Sequence, residues 1–397
     1  MKQRLSRVTE RVSAGAERVW RGHKKQVVAV GAIAAALVIV AAVLLVSASP
    51  GQVARASASP SASPTASATP TASETVALPS PSESESAGPT DLPNGMAYSD
   101  LDGVLTQPDL AHRLPMAVMI GDNAPARPQL GFSSASIVYQ AYEEYSEDRY
   151  MMVFQEGTST DIGGIRSARP YFVRWAAEYK ALYGHDGGDA VSLESVIPTM
   201  SGNIYNLDAA RGGSCAYHRT TTRVAPHNEM TNTADLISCA ARVGYPAKYQ
   251  GLPTRPFVDD SPPSLRPQSQ SISVPYHTGT IGYTYDPVSD SYLRLVGGKP
   301  QVDPANKQQV FARNIVVMFQ AVAADSPSYG MQRISLTNVG SGKAIVFKEG
   351  KAITGTWTKT SDTALTRLYD DAGTEIPFVR GEIFMQSVPI GTAVTYK

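Results

Sequence analysis

The chain has 397 residues, 42% of them apolar, with 35 Lys or Arg against 35 Asp or Glu and only two cysteines. Once its non-globular segments are set aside, that length supports one large folded domain or two smaller ones. The zero net charge hides a division: eight Lys or Arg and two Glu among the first 25 residues give +6 there, leaving −6 on the remainder, and an acidic body excludes nucleic acid as its natural partner.

Residues 1–26 read as a basic cytoplasmic segment. Residues 27–46 carry no charge and are almost wholly Val, Ala, Leu and Ile. About 20 such residues at ~1.5 Å each cross a ~30 Å hydrocarbon core, so a transmembrane helix is predicted. With Lys24 and Lys25 at its start, the positive-inside rule places the N-terminus in the cytoplasm and the C-terminal body outside, as a single-pass protein of the cell membrane. The competing expectation is secretion after cleavage at Val46-Ser47-Ala48 or Ala54-Arg55-Ala56. Residues 47–97 are rich in Ser, Ala, Pro and Thr and bury too little apolar surface to offset ordering, which predicts a disordered spacer.

The remaining chain predicts an α+β fold: an N-terminal mixed α/β domain over 98–250 and a C-terminal, mostly antiparallel β domain over 268–397. Residues 115–120 read as a buried strand closed by Gly121-Asp122-Asn123, 136–142 as a strand or a helical turn, and 150–155 as another buried strand. Pro170 suits the first position of a helix reaching about 179. A short strand over 181–184 then delivers His185. Helices are predicted over 189–200 and 231–243, the second capped by Thr231. From residue 272 onward, short β-branched and aromatic runs alternate with Gly, Asn and Asp, as in 281–285, 292–296, 315–322, 334–337, 344–347 and 383–388.

The unusual residues gather between 162 and 228. Arg166 and Arg169 flank Ser167-Ala168 just after Gly163-Gly164 and lead into the helix at Pro170, joining guanidinium forks, permissive backbone and the positive end of a helix dipole. That combination suits a phosphate or carboxylate. Arg149, His185, Arg219, Arg223, His227 and Asn228 complete the candidate anion site. The competing reading pairs these arginines with Glu143, Glu144, Asp161 or Asp186 as purely structural ion pairs. His185, Asp186, Asp189, His218 and His227 have side chains that bind metals, but their spacing matches no metal signature, and no metal or other cofactor is expected. Ser167 lacks a nucleophile elbow, so no catalytic residue is assigned. Cys215 and Cys239 lie outside the membrane on this topology, where a disulfide between them is expected.

Several motifs in order carry a family resemblance. Ala117-Val118-Met119-Ile120-Gly121-Asp122-Asn123 with Ala126-Arg127-Pro128-Gln129-Leu130-Gly131, then residues 162–171, then Ala225-Pro226-His227-Asn228, resemble the DUF3048 family of YerB-like bacterial envelope proteins. Its C-terminal signature is matched by Gly355-Thr356-Trp357-Thr358-Lys359, Asp371-Ala372-Gly373 and Gly381-Glu382-Ile383-Phe384. The resemblance implies an extracytoplasmic location and no assigned biochemistry. This chain departs by its transmembrane anchor and by Ser136 and Gln140 at positions where the family usually carries acidic residues, which weakens any scheme built on paired carboxylates. The expectation is a membrane-anchored binding module, not an enzyme, for an anionic or carbohydrate envelope ligand or a wall-associated protein. The alternatives are a hydrolase of cell-wall or phosphate-containing polymer and a scaffold for membrane-bound wall-synthesis proteins.

Overall fold

The computed structural model describes residues 92–397 apart from 94, 145–146, 250 and 329–330. The expected basic segment, transmembrane helix and nearly all of the spacer lie outside the described residues. Among the described residues no helix is long and apolar enough to cross a membrane.

The elements used below are, in chain order, β1 (Met116–Gly121), β2 (Ile137–Tyr142), β3 (Asp148–Phe154), β4 (Ile162–Gly163), α1 (Pro170–Glu178), β5 (Leu182–His185), β6 (Tyr205–Asp208), β7 (His218–Arg219), β8 (Glu229–Thr231) and α2 (Thr233–Arg242). After them come β9 (Ser271–Val274), β10 (Ile281–Asp286), β11 (Ser291–Val296), β12 (Asn314–Gln320), β13 (Val322–Ser328), β14 (Met331–Leu336), β15 (Gly340–Lys348), β16 (Lys351–Lys359), β17 (Arg367–Asp370), β18 (Ile383–Pro389) and β19 (Thr395–Tyr396). The first part mixes helices and strands, and the second is mostly β with few helices.

Ten strands form one sheet in the order β17-β16-β15-β12-β18-β2-β3-β1-β5-β6. Its two halves meet where β18 pairs in parallel with β2, Ile383 opposite Ile137 and Gln386 opposite Gln140. β18 also runs parallel to β12, and β5 runs parallel to both β1 and β6. The C-terminal part is therefore not purely antiparallel. An apolar run with neighbours on both sides carries no signal of partner direction.

Alternation along each strand sends side chains to opposite faces, and both faces are covered. Ala117, Met119, Tyr139, Met151 and Val153 face one core together with Val316, Met318 and Met385, where α1 contributes Tyr171, Phe172 and Trp175. Eight of the nine residues of α1 are buried, so this is a core helix without a solvent face. Val118, Ile120, Val138, Tyr150, Met152 and Phe154 face the other core, roofed by Leu236 of α2 and by Tyr283, Tyr285 and Tyr292 of a second antiparallel sheet, β11-β10-β9-β19.

Two helical expectations change. Thr231 belongs to β8, and α2 is capped by Asn232, whose side chain accepts from the Asp235 amide at 2.7 Å. Over 189–200 the chain makes a π-type turn at Ser192–Val196 and a single short turn at Ile197–Thr199. Pro198 has no amide to bond back into a regular helix there.

Arg294, fully buried on β11, pins the second sheet to the first. Its Nη2 donates to Gln140 Oε1 at 2.8 Å and to Tyr150 Oη at 3.0 Å, Nε donates to Gln301 at 2.7 Å, and Nη1 bonds the Tyr283 hydroxyl. Phe132 and Phe384 stack around the guanidinium, with Phe384's ring centre 4.9 Å away. Gln140 in turn donates to Asp122 at 3.1 Å. An amide serves both partners, whereas a carboxylate at 140 has no proton to give Asp122. Replacing Arg294 with Met leaves Gln140, Gln301 and two tyrosines without their donor, and is expected to lower stability by about 3 kcal/mol, read from the urea midpoint of the full chain.

Candidate functional site

β1, β2, β5 and β6 all point their C-terminal ends to one edge of the sheet, and the residues singled out by sequence collect along that edge. Open α/β sheets bind ligands outside the carboxyl ends of their strands. The segment after β4 is threaded across the end of β1. Gly121 N donates to the Gly164 carbonyl at 3.1 Å, Arg166 N to the Met119 carbonyl at 2.9 Å, and Ile165 N to the Glu229 carbonyl of β8 at 2.8 Å. Two glycines allow so close a passage. A Cβ on Gly121 would lie 2.9 Å from Arg166 Cγ, and one on Gly164 would lie 2.6 Å from the His227 carbonyl oxygen.

The arginines divide into two kinds. Arg149, at the start of β3, and Arg169, just before α1, are buried and both reach Glu143 Oε1, at 2.5 and 2.6 Å. Arg169 Nε also bonds both oxygens of Glu144 at 2.8 Å, while Arg149 Nη1 donates to the Ser167 carbonyl at 2.8 Å. Burial pushes Glu143 up to about 7 even with two guanidiniums pulling it down, and burial draws Arg149 down to about 10. This four-residue knot is structural.

Arg166 and Arg223 are different. Arg166 is half-buried and its side chain makes no hydrogen bond or ion pair with a described residue. Arg223 Nη1 donates to the Ala126 carbonyl at 3.0 Å and Nη2 bonds the Pro128 carbonyl, so neutral oxygens hold it and no described carboxylate balances its charge. The charges of both act on His227, which is nine-tenths buried, with a buried Nδ1 that has no partner among the described residues. Burial, and then the charges of Arg166 and Arg223, keep its pKa below the usual imidazole value. Glu147 opposes them.

The other candidates have structural work. His185 is fully buried, with Nδ1 2.7 Å from the Gly187 carbonyl and Nε2 2.8 Å from Asn206 Oδ1, so neither nitrogen is left for a ligand. Arg219 of β7 is half exposed, pairs with Glu229 at 2.6 Å and Asp186 at 3.6 Å, and donates to Asn228 Oδ1 at 2.9 Å. Asn228 thereby ties the base of the loop joining β7 to β8. Cys215 and Cys239 form a disulfide with Cα atoms 5.4 Å apart, linking the turn before β7 to α2. Tyr142 stacks on Tyr276 and donates to the Pro275 carbonyl. Among the described residues no group of three His, Cys, Asp or Glu side chains is arranged to hold a metal ion. Beside the site, Thr220, Thr221 and Thr222 line a groove of about 380 Å³ together with Arg219 and Arg223. Sequence reasoning passed over these threonines, although three in a row between two arginines was a readable signal.

Residues 101–246 match the family model described as "Protein of unknown function (DUF3048) N-terminal domain", and residues 272–385 match the corresponding C-terminal domain. The chain is 27% identical over 293 residues to "Putative lipoprotein YerB" of Bacillus subtilis (strain 168), a match that covers 73% of this chain and 85% of that protein. The crystal structure of the YerB protein from Bacillus subtilis superposes with a TM-score of 0.66 at 24% identity, covering 76% of this chain and 99% of that one, so the two share a fold.

The two kinds of arginine separate in stability. Arg169→Leu strands Glu143 and Glu144 as buried charges and is expected to cost 3–5 kcal/mol, roughly what a broken buried pair costs. Arg166→Gln, which breaks no hydrogen bond or ion pair with a described residue, is expected to stay within about 0.5 kcal/mol of the parent in the same chemical denaturation.

Proposed function

The chain belongs to the DUF3048 family, and from that premise we propose that it is a membrane-anchored extracytoplasmic binding protein whose site at Arg166, His227 and Arg223 takes an anionic envelope ligand. The observation that carries the reading is the uncompensated charge: two guanidiniums without a described carboxylate partner act on a buried imidazole whose Nδ1 has no partner among the described residues. Buried or half-buried cations left unpaired in the free protein await an anion, because leaving them so costs free energy that a ligand recovers. An anion placed there gains the Arg166 fork, the N–H donors that Arg223 leaves free and an imidazole donor. The position, at the carboxyl ends of β1 and β5, is where sheets of this type bind ligands.

Three features support the location. The uncharged run at 27–46 is long enough for a membrane span. The relative in Bacillus subtilis carries the name of a lipoprotein, so a lipid on one chain and a helix on the other would tether the same fold to a membrane. The Cys215–Cys239 disulfide belongs to an oxidising compartment. Against hydrolysis stands the engagement of both His185 nitrogens, and against a purely structural role for the arginines stands the freedom of Arg166.

Sulfate, whose charge is constant near neutrality, tests the site by calorimetry on the full-length chain in detergent. Binding is expected for the parent and a loss of at least roughly ten-fold for Arg166→Gln, with folding unchanged; equal binding by both would remove the proposal. His227 adds a pH dependence of known sign. Its free-state pKa is held low, and a bound anion offsets Arg166 and Arg223, so binding draws in a proton. Sulfate affinity should therefore rise as pH falls from about 7.5 to about 5.5, and His227→Gln should flatten that rise.

A further inference from the structure

The loop between β7 and β8 carries His227 on its return limb and, on its outgoing limb, one wall of the groove. Thr220 N donates to the Asn228 carbonyl at 2.9 Å and His227 N to the Val224 carbonyl at 3.0 Å, which closes the loop on itself. Arg223 belongs to both places: it lines the groove, and its charge acts on His227. The turn closed by the His227–Val224 hydrogen bond brings His227 back beside the segment that carries Arg223, so the groove and the proposed anion site share Arg223.

The lining specifies a chemistry. Thr220, Thr221 and Thr222 present three hydroxyls in sequence, of which Thr220 and Thr222 bond each other at 2.9 Å while Thr221 is exposed. His218 and Asp161 add exposed polar groups, and Leu130 and Met230 supply a small apolar surface. Among the described residues no aromatic ring other than the His218 imidazole lines the groove, so it offers little on which a nucleobase would stack. Asp161 disfavours a second negative charge and accepts hydroxyl donors. At about 380 Å³ the space sits near the lower end of the ~300–1,000 Å³ typical of small-molecule sites.

We infer that the ligand is a polyhydroxylated anion, one charged group borne on a sugar or polyol, with the charge held at Arg166, His227 and Arg223 and the hydroxylated body lying along Thr220, Thr221 and Thr222. This rests on the anion-site reading above and specifies what the anion is attached to.

Calorimetric titrations of the full-length chain in detergent with inorganic phosphate, glucose, glucose 6-phosphate and glucuronate test it, each repeated on Arg166→Gln and on the double variant Thr221→Val, Thr222→Val. At least one of the two sugar anions should bind ten-fold or more tightly than both phosphate and glucose. The double variant should lose that preference and keep the parent's phosphate affinity, and Arg166→Gln should lose both. Phosphate and both sugar anions binding equally, with the double variant indistinguishable from the parent, would overturn the groove assignment and leave the anion site standing. Absence of binding by phosphate and by both sugar anions would overturn the site and the groove together. Thermal melting of both variants, expected to match the parent because these side chains are exposed or unpaired, separates lost binding from lost folding.

Discussion

Glu143 and Glu144 decide where the rest of the charged carboxyl edge, the crest of the sheet, sits. They follow β2 directly, at the end of a strand buried on both faces, and two carboxylates cannot remain there without positive partners. Arg149 comes from the next strand and Arg169 from the residue before α1, so the knot binds β2, β3 and the entry to α1 at one point. The chain between β4 and Arg169 is thus held at both ends, and Arg166 has little freedom to go elsewhere. A structural ion cluster positions a free cation without touching it. That is an economical way to keep a charge in place while leaving it available.

A second network lies on the opposite face of the sheet. Asp122, immediately after β1, collects Arg127 at 2.9 Å, Gln129 at 2.9 Å and Gln140 at 3.1 Å, and Thr278, in the turn between β9 and β10, reaches it at 2.9 Å. Asp148 beside it accepts from the Thr278 amide at 2.7 Å, and burial still pushes it up to about 6. Charges therefore line the carboxyl edge from β2 to β6, and nearly all are matched among the described residues. The unmatched pair at Arg166 and Arg223 is conspicuous for that reason.

Much of this was legible in the sequence. The buried strands, α1 with Pro170 at its start and α2 followed from apolar period and turn chemistry, and the site residues followed from their types. What was not legible was the sorting of the arginines. Arg166 and Arg169 stand three residues apart with the same flanking glycines, yet one is locked and the other free, because the deciding carboxylates lie more than twenty residues upstream and approach only through the β2–β3 hairpin. His185 looked like a ligand because it ends a strand at the right edge, but the Gly187 carbonyl and Asn206 take both its nitrogens, a tertiary outcome with no local signature. Asn232 displaced Thr231 as a cap because Thr231 was needed in β8.

The pairing of β18 with β2 has a consequence for how this protein comes into being. β18 is the last strand of the large sheet to be synthesised, and it enters near the middle, not at a rim. Until it arrives, β2 presents an unpaired edge of six residues, and β12 has no neighbour on that side. The first part of the chain, with its crest of charges, is therefore finished only by residues made long after it.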